Sequence, residues 1–128
     1  MKIRVYYEDT DCGNVVYYAN YLKYMERSRT EYLRERGIDL STLHKAGTLF
    51  VVIDVHVTYR APAVYNDLLT VESTIIEMTS ATITFSTTIS NEQGKLLVKG
   101  DVRLACTNRE GHAGRIPAEI KDALFFEP

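Results

Sequence analysis

Tryptophan is absent from the 128-residue chain, and cysteine occurs only at Cys12 and Cys106. Two cysteines without a CxxC pair exclude a disulfide framework and fit a reducing compartment. The three histidines, His44, His56 and His112, are scattered and give no zinc-ligand spacing. No metal and no cofactor is expected. The formal net charge of -2 lacks the basic excess that phosphate neutralisation demands, which excludes a general nucleic-acid binder. No apolar run reaches the ~18 residues of a membrane span. Met1-Lys2-Ile3-Arg4 leads directly into strand-like alternation rather than a signal peptide. The expectation is one domain over residues 1–128, cytoplasmic and without stable membrane insertion.

What the chain does have is tyrosine, nine in all, with Tyr6, Tyr7, Tyr17, Tyr18 and Tyr21 crowded around one acidic loop. That loop, Asp9-Thr10-Asp11-Cys12-Gly13-Asn14, lies between a strand-like run and a long amphipathic stretch. A loop feeding a helix N-terminus offers unpaired N–H groups and the positive end of a dipole, both suited to an oxyanion. A carboxylate in the same loop can act beside them as base or nucleophile. Asp9, ahead of the tight turn, reads as a residue that accepts backbone N–H bonds and fixes it. Cys12 has no histidine nearby in sequence to activate it and reads as packing.

Alternation of Ile3, Val5 and Tyr7 with polar residues predicts a strand over 2–8. From Tyr18 the period changes: Tyr21, Leu22, Met25, Ser28, Tyr32 and Leu33 form one helical stripe, and Gly37 suits the residue after the helix. A helix over 18–36 follows, with Arg29 intruding on its apolar side as half of an expected ion pair. Strands are predicted over 49–60, 67–77, 81–90 and 95–106, with Asn91-Glu92-Gln93-Gly94 as a hairpin turn. In 49–60 the alternation places Leu49, Val51, Ile53, Val55, Val57 and Tyr59 on one face. Pro117 predicts a short helix through Leu124. Strand, helix, then four meandering strands imply an α+β domain, an antiparallel sheet wrapped around one helix.

That order and the run Tyr6-Tyr7-Glu8-Asp9-Thr10-Asp11-Cys12-Gly13-Asn14-Val15-Val16-Tyr17-Tyr18-Ala19-Asn20-Tyr21 resemble the hot-dog-fold acyl-CoA thioesterases of the 4-hydroxybenzoyl-CoA thioesterase type. The resemblance is strongest to the YbgC-like branch. It continues through Tyr24-Met25-Glu26-Arg27-Ser28-Arg29-Thr30-Glu31 and Tyr59-Arg60-Ala61-Pro62-Ala63. It implies a five-stranded hot-dog fold around a long central helix, and hydrolysis of acyl-CoA to free acid and CoA. It also implies that the second acid of the Asp-x-Asp-x-x-Gly loop, Asp11, is the catalytic carboxylate. The backbone N–H of Tyr18 is the implied oxyanion donor, and Tyr7 belongs to the active-site region. Many members of the branch carry histidine where this chain has Tyr18, so no histidine-assisted step is expected.

CoA carries phosphates, so cations should line the mouth, and Arg60, Lys99 and Arg103 are the candidates. Tyr7 and Tyr21 are expected to wall the acyl pocket together with part of 49–60. Met78-Thr79-Ser80-Ala81 lacks the paired arginines that some members present to phosphate, which leaves an acyl carrier protein as an alternative carrier. The resemblance implies a homo-oligomer, dimer or tetramer, paired along 49–60 with sites at the subunit boundaries. Two rival classes stand beside the thioesterase. A hot-dog dehydratase pairs histidine with its carboxylate, and the loop has none. A non-catalytic acyl-thioester-binding or envelope-associated scaffold has no need of a charge beside the thioester.

Overall fold

Strand β1 (Lys2–Arg4) is shorter than its alternation predicts. Ile3 and Val5 are buried as expected, but the backbone then turns through a 3-10 segment, Tyr7–Asp9, and Tyr7 is left 75% exposed. The Asp9 carboxylate causes the break by accepting the Tyr6 N–H at 2.8 Å, a capping bond that extended backbone could not make. The computed structural model describes residues 1–124; the expected domain runs on to 128, and 125–128 lie outside the described residues.

Helix α1 (Asn20–Glu35) begins two residues later than predicted, after a turn through Tyr18 and Ala19. It ends where Gly37 takes φ 82° and Ile38 N–H reaches back to Leu33 C=O at 2.9 Å. A second helix, α2 (Leu40–Lys45), stands where the sequence pattern predicts no element. Its signal was Asp39, whose side chain caps it by accepting from the Ser41 N–H and hydroxyl, each at 2.9 Å. Strands β2 (Leu49–Tyr59), β3 (Leu68–Met78), β4 (Thr82–Ser90) and β5 (Leu96–Thr107) follow, then α3 (Ala118–Ala123) after Pro117.

All five strands pair antiparallel in the order β1-β3-β4-β5-β2, and α1 packs across one face against β3 and β4. The core is the apolar side of that sandwich, with Tyr24, Met25, Leu69, Val71, Ile83, Phe85, Ile89 and Val98 nearly inaccessible. Ser28 sits in the helix's apolar stripe without penalty because its hydroxyl meets that of Ser73 at 2.8 Å, which meets Thr87 at 2.7 Å. At Gly100 of β5 the Met25 side chain reaches down so far that an added Cβ would lie 2.3 Å from its Cε.

The single apolar face expected for β2 is divided. A bulge at Ile53, between the Val52–Leu104 and Asp54–Arg103 pairs, shifts the alternation by one residue. Phe50, Val52, Val55, Val57 and Tyr59 therefore share the helix side of the sheet, opposite buried partners such as Val102 and Val98. Leu49 and Val51 fall on the other side. β2 is also an edge strand, and its outer backbone edge has no strand partner among the described residues.

Candidate active site

Residues 9–17 fold back on themselves as a clasp. Asp11 N–H donates to Val15 C=O and Tyr17 N–H to Asp9 C=O, both at 2.9 Å. A bridge pairs Thr10 with Val16. Asp9 is committed to holding the turn: its carboxylate takes the Tyr6 N–H and its carbonyl also takes the Asn20 side-chain amide at 2.8 Å. Asn14 occupies the last position of the Asp-x-Asp-x-x-Gly pattern and holds φ 64°, a left-handed conformation that asparagine tolerates in glycine's place.

Asp11 is exposed on this clasp, with Oδ1 accepting the Gly13 N–H at 2.8 Å. A Cβ on Gly13 would approach that same oxygen to 3.2 Å, so the small residue keeps the carboxylate in place. Among the described residues Oδ2 has no hydrogen-bond donor, which leaves it open to water or substrate. Across the clasp, the turn before α1 presents its N–H groups. Asn20 N–H donates to Tyr17 C=O at 2.8 Å, whereas the Tyr18 and Ala19 N–H groups meet no acceptor among the described residues. The Tyr17 phenol is held above its ordinary value, first by the neighbouring Tyr18 hydroxyl and charge, then by burial and the charge of Asp11.

A cleft of about 310 Å³ adjoins this turn, walled by Val16, Tyr18, Tyr21, Tyr59, Arg60 and Pro62. Tyr21, only 3% exposed, forms its floor and accepts the Ala63 N–H on its hydroxyl at 2.9 Å. It is a core residue that presents one ring face to the cleft. Tyr59 is not singled out by sequence reasoning, although it lies in the Tyr59-Arg60-Ala61-Pro62-Ala63 run. Its hydroxyl donates to Tyr18 C=O at 3.3 Å, and its ring packs edge-on to Tyr18 at 6.4 Å.

The cation candidates separate. Arg60 lines the cleft, but Lys99 and Arg103 project from the opposite face of the sheet, in rows with Thr58 and Asp54. Alternation along β5 dictates this, since Gly100 and Val102 between them face the helix. The chain does not bring those two to its own cleft. Tyr7 stands outside the cleft with its ring against Tyr65 at 6.0 Å. His56 lies on the same outer face as Lys99, opposite Asp101. The ion pair expected of Arg29 is not formed within the described residues, although Arg29 is only 8% exposed.

Among the described residues no group of His, Cys, Asp or Glu could hold a metal. No helix there is long and apolar enough to cross a membrane.

A family model of the thioesterase-like superfamily matches residues 5–124. The acyl-CoA thioesterase YbgC of Haemophilus influenzae is 43% identical over 124 residues, covering 95% of this chain and 90% of that protein. The acyl-CoA thioester hydrolase YbgC of Escherichia coli is 39% identical over 106 residues, covering 83% and 79%. The crystal structure of a hypothetical protein from Aquifex aeolicus superposes with a TM-score of 0.92 at 27% identity, covering 98% of both chains.

Proposed function

The chain belongs to the thioesterase-like superfamily, and we propose that it hydrolyses acyl-CoA to the free acid and CoA from the Asp11 clasp. Two groups carry the chemistry. The Tyr18 N–H binds the carbonyl oxygen as negative charge develops on it, and Asp11 Oδ2 takes a proton from the attacking water. Loss of one such oxyanion donor costs about 2.7–4 kcal/mol of transition-state stabilisation, whereas an exposed helix dipole contributes ~0.3–1 kcal/mol. The directed N–H therefore dominates. The single observation that supports this reading is the clasp itself, which carries a carboxylate with one free oxygen and leads into a turn before α1 whose Tyr18 and Ala19 N–H groups are unspent.

In this reading the thioester lies across the Tyr18–Tyr59 cleft, with Arg60 at its edge as a phosphate contact. Tyr7, exposed beside the clasp, covers the reacting group once substrate is bound. The free edge of β2, with Val51, Val52, Ile53 and Val55 exposed, supports a homo-oligomer: a dimer paired along β2, and a tetramer of two such dimers. Lys99 and Arg103 then serve as phosphate contacts for a neighbouring subunit's site. The enzyme works in the cytoplasm, where its two free cysteines remain reduced.

Thiol release from a panel of acyl-CoA and acyl-carrier-protein thioesters tests the reading, run beside enoyl-CoA hydration. Turnover of acyl-CoA with no hydration is the expected result. Hydration without thiol release would assign the clasp to a lyase, and tight binding without either would assign it to a scaffold.

A further inference from the structure

A second cavity, of about 170 Å³, opens farther along the same seam between α1 and β2. Leu33, Leu40, Phe50, Val52 and Leu104 form its apolar walls, and Arg29 projects among them with Glu26, Thr30 and His44 as the other polar lining. Among the described residues the Arg29 side chain makes neither a hydrogen bond nor an ion pair, although the residue is only 8% exposed. Glu26, one turn earlier on α1, opposes its charge without reaching ion-pair distance, and His44 of α2 adds a further donor on the cavity wall. Burial lowers the guanidinium's proton affinity, but an arginine stays charged. A cation in a largely apolar cavity, faced by one carboxylate beyond ion-pair distance, is costly unless a further anion reaches it.

Both cavities share α1 and β2 as walls, and Leu22 and Val55 are exposed between them. Arg29 follows Asn20, the first residue of α1, by nine residues, ~14 Å along the helix axis, and its side chain leans back toward the helix start. An acyl group with its carbonyl at Tyr18 thus runs along an apolar strip toward a cation at its far end. We propose that Arg29 is a specificity-determining residue and that its cavity receives the distal carboxylate of a dicarboxylic acid monothioester. A carboxylate is the group that matches the planar fork of a guanidinium with two parallel hydrogen bonds. The proposal rests on the thioesterase reading above, which supplies the position of the carbonyl.

The test compares kcat/KM for suberyl-CoA with octanoyl-CoA, and for adipyl-CoA with hexanoyl-CoA, in the wild type and in Arg29→Met and Arg29→Lys. Melting of each protein is followed with and without free suberate. The wild type should favour the carboxylated member of at least one pair by ~10-fold or more, the scale of a charged hydrogen bond. Arg29→Met should reduce that ratio by a similar factor, and Arg29→Lys should retain part of it. Free suberate should raise the Tm of the wild type and not of Arg29→Met. Equal preference in the wild type together with no suberate shift would overturn the proposal, whether or not the variants fold. An equal loss on every substrate in Arg29→Met, with dissociation of the oligomer, would also overturn it by assigning Arg29 to a subunit contact. If no thioester is turned over at all, the functional reading fails, while the suberate shift still decides whether Arg29 binds a carboxylate.

Discussion

The Tyr21 hydroxyl accepts the Ala63 N–H at 2.9 Å, a buried bond that ties the first turn of α1 to the chain leaving β2. Both walls of the Tyr18–Arg60 cleft hang on it. Tyr21→Phe keeps the ring and strands the Ala63 N–H, which should cost about 1–3 kcal/mol in urea unfolding. Tyr21→Ala should cost ~3–5 kcal/mol, as for other large aromatic truncations. A substrate-profile change without loss of stability would show instead that the ring is a pocket wall alone.

Tyr24 presents the opposite case. Its hydroxyl is buried with no hydrogen-bond partner among the described residues. Its phenol is pushed well above its ordinary value, first by burial and then by the charge and nearness of the Asp9 carboxylate. Removing an orphaned hydroxyl should be neutral or stabilising, by up to ~1 kcal/mol. A Tyr24→Phe variant that melts several degrees lower would show that the hydroxyl has a partner in solution.

Gly100 and Met25 should behave as a coupled pair. Gly100→Ala would set a methyl 2.3 Å from Met25 Cε, so the flexible end of Met25 must move aside, at a cost near the low end of the ~1–3 kcal/mol of overpacking. The double variant Gly100→Ala, Met25→Ala should lose less than the sum of the single changes. Strict additivity of the unfolding free energies would contradict the close approach.

Asp39 sets a pH dependence. The Ser41 hydroxyl, and next the Ser41 N–H, hold its carboxyl below the ordinary value in the folded chain. A depressed folded value means the contribution is present above the unfolded value and is lost as pH falls through the folded one. Stability of the wild type should therefore decline in acid more steeply than that of Asp39→Asn. Parallel Tm-against-pH curves in the acid range would show that the cap contributes nothing.

Most of the fold was legible because period carries so far. The four long strands and the body of α1 fall within two residues of their sequence bounds. Failures came where a local polar contact outweighed period. Asp9 cut β1 short by capping a turn, and Asp39 made a helix of six residues too short for any stripe to announce. The bulge at Ile53 reassigned β2's apolar residues between faces, which alternation alone cannot foresee. At the site, the Asp11 loop was readable because its chemistry lies in one contiguous run. Tyr59 joins it only by tertiary folding from 41 residues away, and the isolation of Arg29 is visible only in three dimensions.

Hydrolysis as proposed depends on Asp11. Asp11→Asn retains an oxygen for the Gly13 N–H and so keeps the clasp, but it removes the charge proposed to activate water. Single-turnover and steady-state hydrolysis of an acyl-CoA by Asp11→Asn, on protein whose unfolding curve matches the wild type, is the most direct measurement. The account predicts a fall in kcat of at least ~100-fold, the low end of general-base catalysis, with little change in substrate affinity. Near-normal kcat in that folded variant would contradict it.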